Sequence, residues 1–370
     1  MKRKFWATTF TLTGAIIGAG ILGLPYVFSQ SGIFIGSLWL IVLGLIMMYT
    51  NLCLGEITLK TKGKHHLVGY AEKYLGKSGK RVMFFAVVFG VYSALIAYLI
   101  GEGQSLSQLF TGSGDYAIYF VIGFWALMTI MLGRGLKGLK RVELWGVFII
   151  ILLVLGITAY YFPQVNVDNF SYNNFDNFFL PFGVVMFALL GFSSIPELRM
   201  EIRGSEKLLK KAIILGTIIP IILYILFTFT FVGVLGMGVE QVATLSFGKP
   251  VTLLGIFTML TSYLILTFSL KDIYTYDLKF SKTRDFFLVS LFPLVIYFVL
   301  SFFGMLNFVA VLGIGGVISG GLTGIMILLI AKKAKKHGSR KPEYKVPINW
   351  FVILLLSLVF IGGIVVQLVF

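Results

Sequence analysis

Thr13-Gly14-Ala15-Ile16-Ile17-Gly18-Ala19-Gly20-Ile21-Leu22-Gly23-Leu24-Pro25 sets four glycines and a proline inside one apolar run, 5–28. A helix of that length crosses a bilayer at about 1.5 Å per residue. Breakers in its middle would expose N–H and C=O groups, which hydrocarbon tolerates only where protein or a water-filled cavity covers them. A lone small-xxx-small pattern such as Gly14 to Gly18 is more often a packing face. Here the pattern recurs: Phe187-Ala188-Leu189-Leu190-Gly191-Phe192-Ser193-Ser194-Ile195-Pro196-Glu197 again places a proline after a glycine within a later apolar run.

Outward from these two stretches, the remaining spans fall at 31–54, 82–109, 116–133, 144–162, 211–234, 250–270, 286–304, 308–331 and 349–369, with the second broken run at 177–198. The total is about eleven transmembrane helices. Apolar residues form 58% of the chain and charged residues 12%, too little polar surface for a soluble fold of this size. The run after Met1-Lys2-Arg3-Lys4 lacks an Ala-x-Ala-like cleavage pattern and reads as a retained span. Cys53, the single cysteine, excludes an intrachain disulfide.

Of the 31 Lys and Arg, all but Lys249 lie in the N-terminus or in the connections after spans two, four, six, eight and ten. The positive-inside rule then puts the N-terminus in the cytoplasm and the C-terminus outside a plasma membrane. The net charge of +16 is thus topological, and no soluble module offers a contiguous basic face for nucleic acid. Two connections stand out. Leu67, Tyr70, Ala71, Tyr74 and Leu75 recur at helical spacing, as in a short interfacial helix, and the loop from Pro163 to Asn177 reads as a solvated turn region.

The broken spans are the first and the sixth, so each opens a set of five, and because five is odd the second set enters the membrane from the opposite side. The expected fold is an all-α integral membrane protein with a 5+5 inverted repeat, discontinuous helices 1 and 6, and one extra C-terminal helix. Residues 1–163 form the first repeat and 164–332 the second, while 333–370 hold a cytoplasmic loop and the eleventh helix.

Gly14-Ala-Ile-Ile-Gly-Ala-Gly-Ile-Leu-Gly-Leu-Pro25 resembles the first-helix motif of the amino acid/auxin permease family, within the amino acid, polyamine and organocation transporter superfamily. Gly191-Phe-Ser-Ser-Ile-Pro-Glu197 looks like its sixth-helix motif, and Thr261-Ser262 is similar to the eighth helix of the related hydroxy and aromatic amino acid permeases. The fifth span departs from some superfamily relatives in having no lysine.

A zwitterionic amino acid suits such breaks. The half-helix starting near Gly18 offers free N–H groups to a carboxylate, and the one ending near Ile16 offers free C=O groups to an ammonium. The resemblance implies close main-chain approach at Gly18, Ala19 and Gly20, ammonium contacts from carbonyls of Met186, Phe187 and Ala188 near Gly191, and Phe192 over the ligand. A packing aromatic is the alternative for Phe192. Charged residues are absent from the inner parts of spans one, six and eight, which points to a neutral substrate. Tyr92, about 17 Å into span three, reaches either the substrate or a neighbouring helix.

Thr261 and Ser262 stand at the depth of the first break, where hydroxyls and carbonyls near Gly14 and Ile17 would form an oxygen cage for a sodium ion. In-helix bonding of those hydroxyls is the alternative. Glu102, 21 residues past Arg81 and so about 32 Å along, reads as a solvated rim carboxylate, with a gate or proton site as the alternative. Glu197 beside Arg199 and Arg203 reads as an inner-gate partner or a helix-end carboxylate.

The expected activity is therefore secondary transport of a neutral amino acid coupled to a sodium or proton gradient, with no other cofactor or metal. A membrane sensor would share the site, and a channel is a further alternative. Enzymatic chemistry finds no support, since His65, His66 and His337 all lie in loops without clustered acids or cysteine.

Overall fold

The computed structural model describes residues 2–18, 20–134, 139–277 and 281–369. Among the described residues, ten helices are long and apolar enough to cross a membrane, and an eleventh span arises if the bent pair at the N-terminus is taken as one. That pair is α1 (Lys2–Ile16) and α2 (Gly20–Ser31), set at 56° to each other. Then follow α3 (Ile33–Lys60), α4 (Leu67–Thr111), α5 (Ala117–Arg134) and α6 (Leu139–Tyr161). The sixth span is broken as well, into α7 (Leu180–Ala188) and α8 (Ile195–Glu201). After it come α9 (Leu209–Leu235), α10 (Lys249–Asp272), the short α11 (Lys282–Phe286) with α12 (Phe292–Phe302), α13 (Phe308–Gly315) with α14 (Gly321–His337), and α15 (Trp350–Val369).

Proline marks starts more than it breaks interiors. Pro181, Pro196, Pro250 and Pro293 each stand in the first turn of α7, α8, α10 and α12, where the missing N–H has no intrahelical acceptor in any case. The short helix expected before span three is present as the first part of α4, residues 67–75, set off from the span by a kink. The kink is at Gly76, whose φ of 76° a side-chain-bearing residue rarely adopts, and the spanning helix follows it. The tenth span is joined by a π-helical turn, Gly316–Gly320, between α13 and α14.

The loop expected as a solvated turn region has no buried residue between 163 and 177, and it is also tied to the bundle. Asn166 and Asn174 side chains cap short 3-10 turns by accepting from Asp168 N and Asp176 N. Asn166 N donates to Gly233 O and Asn174 N to Ser31 O, each at 2.9 Å, so the segment straps together the ends of α9 and α2. Its asparagines serve geometry as much as hydration. The other end, which carries the basic connections, is laced by Lys4 Nζ to Arg203 O at 2.7 Å, Arg199 Nη1 to Thr61 O at 2.9 Å and Val346 N to Glu56 Oε2 at 2.7 Å.

Candidate functional site

The two breaks meet in the middle of the bundle. α1 ends at Ile16, Gly18 N bonds back to Ile16 O at 3.0 Å, and regular helix resumes at Gly20. α7 ends at Ala188, and Gly191 with a 3-10 turn at Phe192–Ser194 leads into α8. A side chain on Gly20 would overlap the Ala188 backbone, and one on Gly191 would come within 2.6 Å of the Ile16 side chain. Glycine at these two places is thus what lets the broken helices touch. Gly18 differs: around an added Cβ only Tyr98 Oη, at 3.4 Å, lies within contact range. The Cβ side of Gly18 faces open space with a phenol across from it.

Both half-helices preceding the breaks end on one hydroxyl. Tyr224 Oη, on α9 and fully buried, donates to Ile16 O and Ala188 O, each at 2.8 Å. A phenol has one hydrogen and Ile16 O also accepts from Gly18 N, so when the hydroxyl turns to Ile16 O the Ala188 carbonyl remains able to accept from another donor. Two helix C-terminal ends, each with partial negative charge, converge there.

The expected residues gather unequally. Ile16, Gly18, Gly20, Ala188 and Gly191 come together where the breaks meet, whereas Ala19 lies outside the described residues. Met186 is buried against Gly320 and Phe187 is half-buried against Gly315 and Gly316, so both back onto the tenth span. Phe192 is buried near the second break. Gly14 presses on Val147 of α6, where a Cβ would overlap. Thr261 and Ser262 are half-buried on α10, which packs mainly on α4 and does not pack extensively on α1. Thr261 Oγ1 donates into its own helix, to Phe257 O at 2.9 Å and Thr258 O at 3.0 Å. Glu197 is half-buried at the start of α8, and the neighbouring Arg199 is turned to the loop carbonyls of Thr61 and Gly63.

Two expectations are corrected. Tyr92 does not reach the breaks: its hydroxyl is paired with Tyr274 Oη at 2.6 Å and donates to Leu288 O at 3.1 Å, joining α4 to the segments flanking α11. Tyr98, six residues further along α4, occupies the place at Gly18. Glu102 is not a solvated rim carboxylate but fully buried. Both misplacements have one cause. α4 extends to Thr111 and is longer than a bilayer requires, so depth counted from its basic end underestimates how far the buried middle reaches. Tyr98 and Tyr224 were the residues missed; Tyr224 is the sole tyrosine of α9 and stands mid-helix, a signal present in the sequence but with no partner visible there.

Against known proteins, residues 1–245 match the family model described as the tryptophan/tyrosine permease family. Glutamine transporter 2 of Aliivibrio fischeri is 27% identical over 241 residues, 63% of this chain and 62% of its own length. Tyrosine-specific transport system 1 of Haemophilus influenzae is 26% identical over 239 residues, 63% of this chain and 58% of its own. The chain thus spans about six-tenths of the length of these curated relatives. The crystal structure of MhsT in complex with L-phenylalanine superposes with a TM-score of 0.69 at 16% identity, covering 98% of this chain and 97% of that one. The fold is accordingly the 5+5 inverted repeat expected from the two broken spans. The first- and sixth-helix motifs were sound guides to a family of amino acid permeases rather than enzymes. By the match over 1–245, the chain belongs to the tryptophan/tyrosine permease family.

Proposed function

We propose that the chain is a secondary transporter of a neutral amino acid, working by alternating access around the two breaks. The observation that carries this is the open space beside Gly18 opposite Tyr98, next to two carbonyls that share the Tyr224 hydroxyl. Free N–H groups at the start of α2 and the Tyr98 phenol suit a carboxylate, and the Ile16 and Ala188 carbonyls suit an ammonium. Phe187, Phe192 and Met186 would wall the side-chain pocket. The glutamine and tyrosine named for the relatives, and the phenylalanine held by MhsT, are all neutral and so support the reading. A thermal-shift screen of the purified protein against the twenty amino acids tests it. Stabilisation by one or more neutral amino acids is expected, and stabilisation by none, or by charged ones alone, contradicts it.

Transport is coupled in this proposal to a sodium or proton gradient. For sodium, carbonyls near Gly14 and Ile17 and the hydroxyls of Thr261 and Ser262 are the donors. Because the Thr261 hydrogen points to Phe257 O and Thr258 O, its lone pairs are left for a cation. Substrate affinity should then be about tenfold higher in sodium than in choline, and Thr261→Ala should erase the difference. Equal affinity in both salts removes sodium from the cycle. The end bearing the basic loops is cytoplasmic in this reading. A cysteine at Ser171 in a Cys53-free protein should react with an impermeant thiol reagent on intact cells, and one at Ser339 should not.

A further inference from the structure

Tyr98, Glu102 and Ser105 stand at positions i, i+4 and i+7 of α4, one continuous stripe on a helix face. The stripe begins at the open space beside Gly18 and runs towards the helix end away from the basic loops. Glu102 has 0% of its surface exposed, and neither carboxyl oxygen has a hydrogen-bond partner. It approaches the Leu260 backbone on α10 without forming a bond to it. Ser105 Oγ is likewise buried and unpartnered. The turn is enclosed on three sides, since Gly101 lies against Met259 and Phe308 and Gly103 against Val121.

Among the described residues, no cation compensates this carboxyl. On α10 the neighbouring titratable group is Tyr263, and Lys249 stands exposed at its start, 11 residues and about 16 Å from Leu260, with Lys271 and Asp272 at the far end. α5 carries Tyr119 and Arg134 at its two ends, α12 carries Tyr297, α13 carries no titratable group, and α14 has only basic residues after Ala331. An isolated carboxylate is not retained in such surroundings; it takes a proton and becomes neutral.

We propose that Glu102 is a proton-binding site whose occupancy closes the α4–α10 interface over the substrate. When α10 withdraws and water enters, the carboxyl releases its proton to that water and is solvated as a carboxylate. To close again it must take one proton from water, forming the O–H bond before the interface dries. Substrate at Gly18 and proton at Glu102 act one helical turn apart on the same face, so closure is favoured when both are present. The proposal rests on the alternating-access reading and takes the proton as a driving ion.

The test uses the full chain in proteoliposomes. Infrared difference spectra at neutral pH should show a protonated-carboxyl band in the wild type that Glu102→Gln removes. At zero membrane potential, a one-unit inward proton gradient should drive accumulation of radiolabelled L-tyrosine or L-glutamine up to about tenfold in the wild type. In Glu102→Gln the accumulation should fall to about onefold, with exchange that no longer varies with pH. Accumulation by Glu102→Gln equal to wild type, or no band assignable to Glu102, overturns the proposal. If the Gln variant does not fold, Glu102→Asp keeps a carboxyl in a different position and should shift the pH midpoint of uptake; an unshifted midpoint counts against the site. If the wild type takes up neither amino acid, the transport reading is at fault, and the infrared comparison still decides whether Glu102 holds the proton.

Discussion

At the first break the chain is bare, and at the second it is furnished. The helices on either side of the first break stand at 56°, and a Cβ added at Gly18 would meet only the Tyr98 phenol. Between Ala188 and Ile195 the turn is crowded: Met186, Ala188, Leu189 and Phe192 are all buried, and Gly316 and Gly320 of the tenth span make room for the α7 side. The same topological device therefore provides two different surfaces. The first offers main-chain polar groups, which any amino acid can use, and the second offers apolar walls, which distinguish one side chain from another. Tyr224 ties the two surfaces through their last carbonyls.

Substitutions at glycine separate these roles most sharply. Gly20→Val should have the largest effect, because its Cβ would overlap the Ala188 backbone and force the breaks apart. Ligand binding should be abolished, and stability should fall by about 1–3 kcal/mol in a thermal melt. A variant that melts and binds like the wild type would mean that the two breaks do not touch. Gly18→Ala, two residues away, should leave the melt within about 0.5 kcal/mol. Its methyl group would stand in the space that the substrate carboxylate needs, and affinity should drop about 10- to 100-fold. Loss of stability without loss of affinity would reverse the roles of the two glycines.

Tyr224→Phe probes what joins the breaks. Removing the hydroxyl takes that donor from Ala188 O and leaves Ile16 O with only its bond from Gly18 N, at a cost of about 1–3 kcal/mol in stability. Affinity should change less, by about tenfold, since the substrate ammonium regains one of those carbonyls as a partner. Calorimetry of binding and of unfolding in the same sample would measure both, and an effect on neither would show that the hydroxyl is incidental.

The sequence carried the breaks plainly and the contacts hardly at all. Gly18, Gly20, Gly191 and the proline after each are chemically special wherever they stand, because backbone permissiveness is a property of the residue itself. The positions of Tyr98, Glu102 and Tyr224 matter only through what neighbouring helices bring to them, and an eleven-span bundle has many such pairings. Tyr92 was the natural choice at a depth counted from Arg81, and it is engaged by Tyr274 instead. The asparagine-rich segment shows the same limit, since its composition signals hydration while its caps and its bonds to Ser31 and Gly233 appear only once the ends of α2 and α9 are in place.

The central claim is that the unwound first helix holds the carboxylate of an amino acid by its main chain. Isothermal titration of the purified protein with its best-stabilising amino acid and with the methyl ester of that amino acid tests this most directly. The account predicts that the ester, which keeps the ammonium and side chain but has no negative charge to meet the N–H groups and the Tyr98 phenol, binds at least about 100-fold more weakly. Equal affinity for acid and ester would place the carboxylate elsewhere and contradict it.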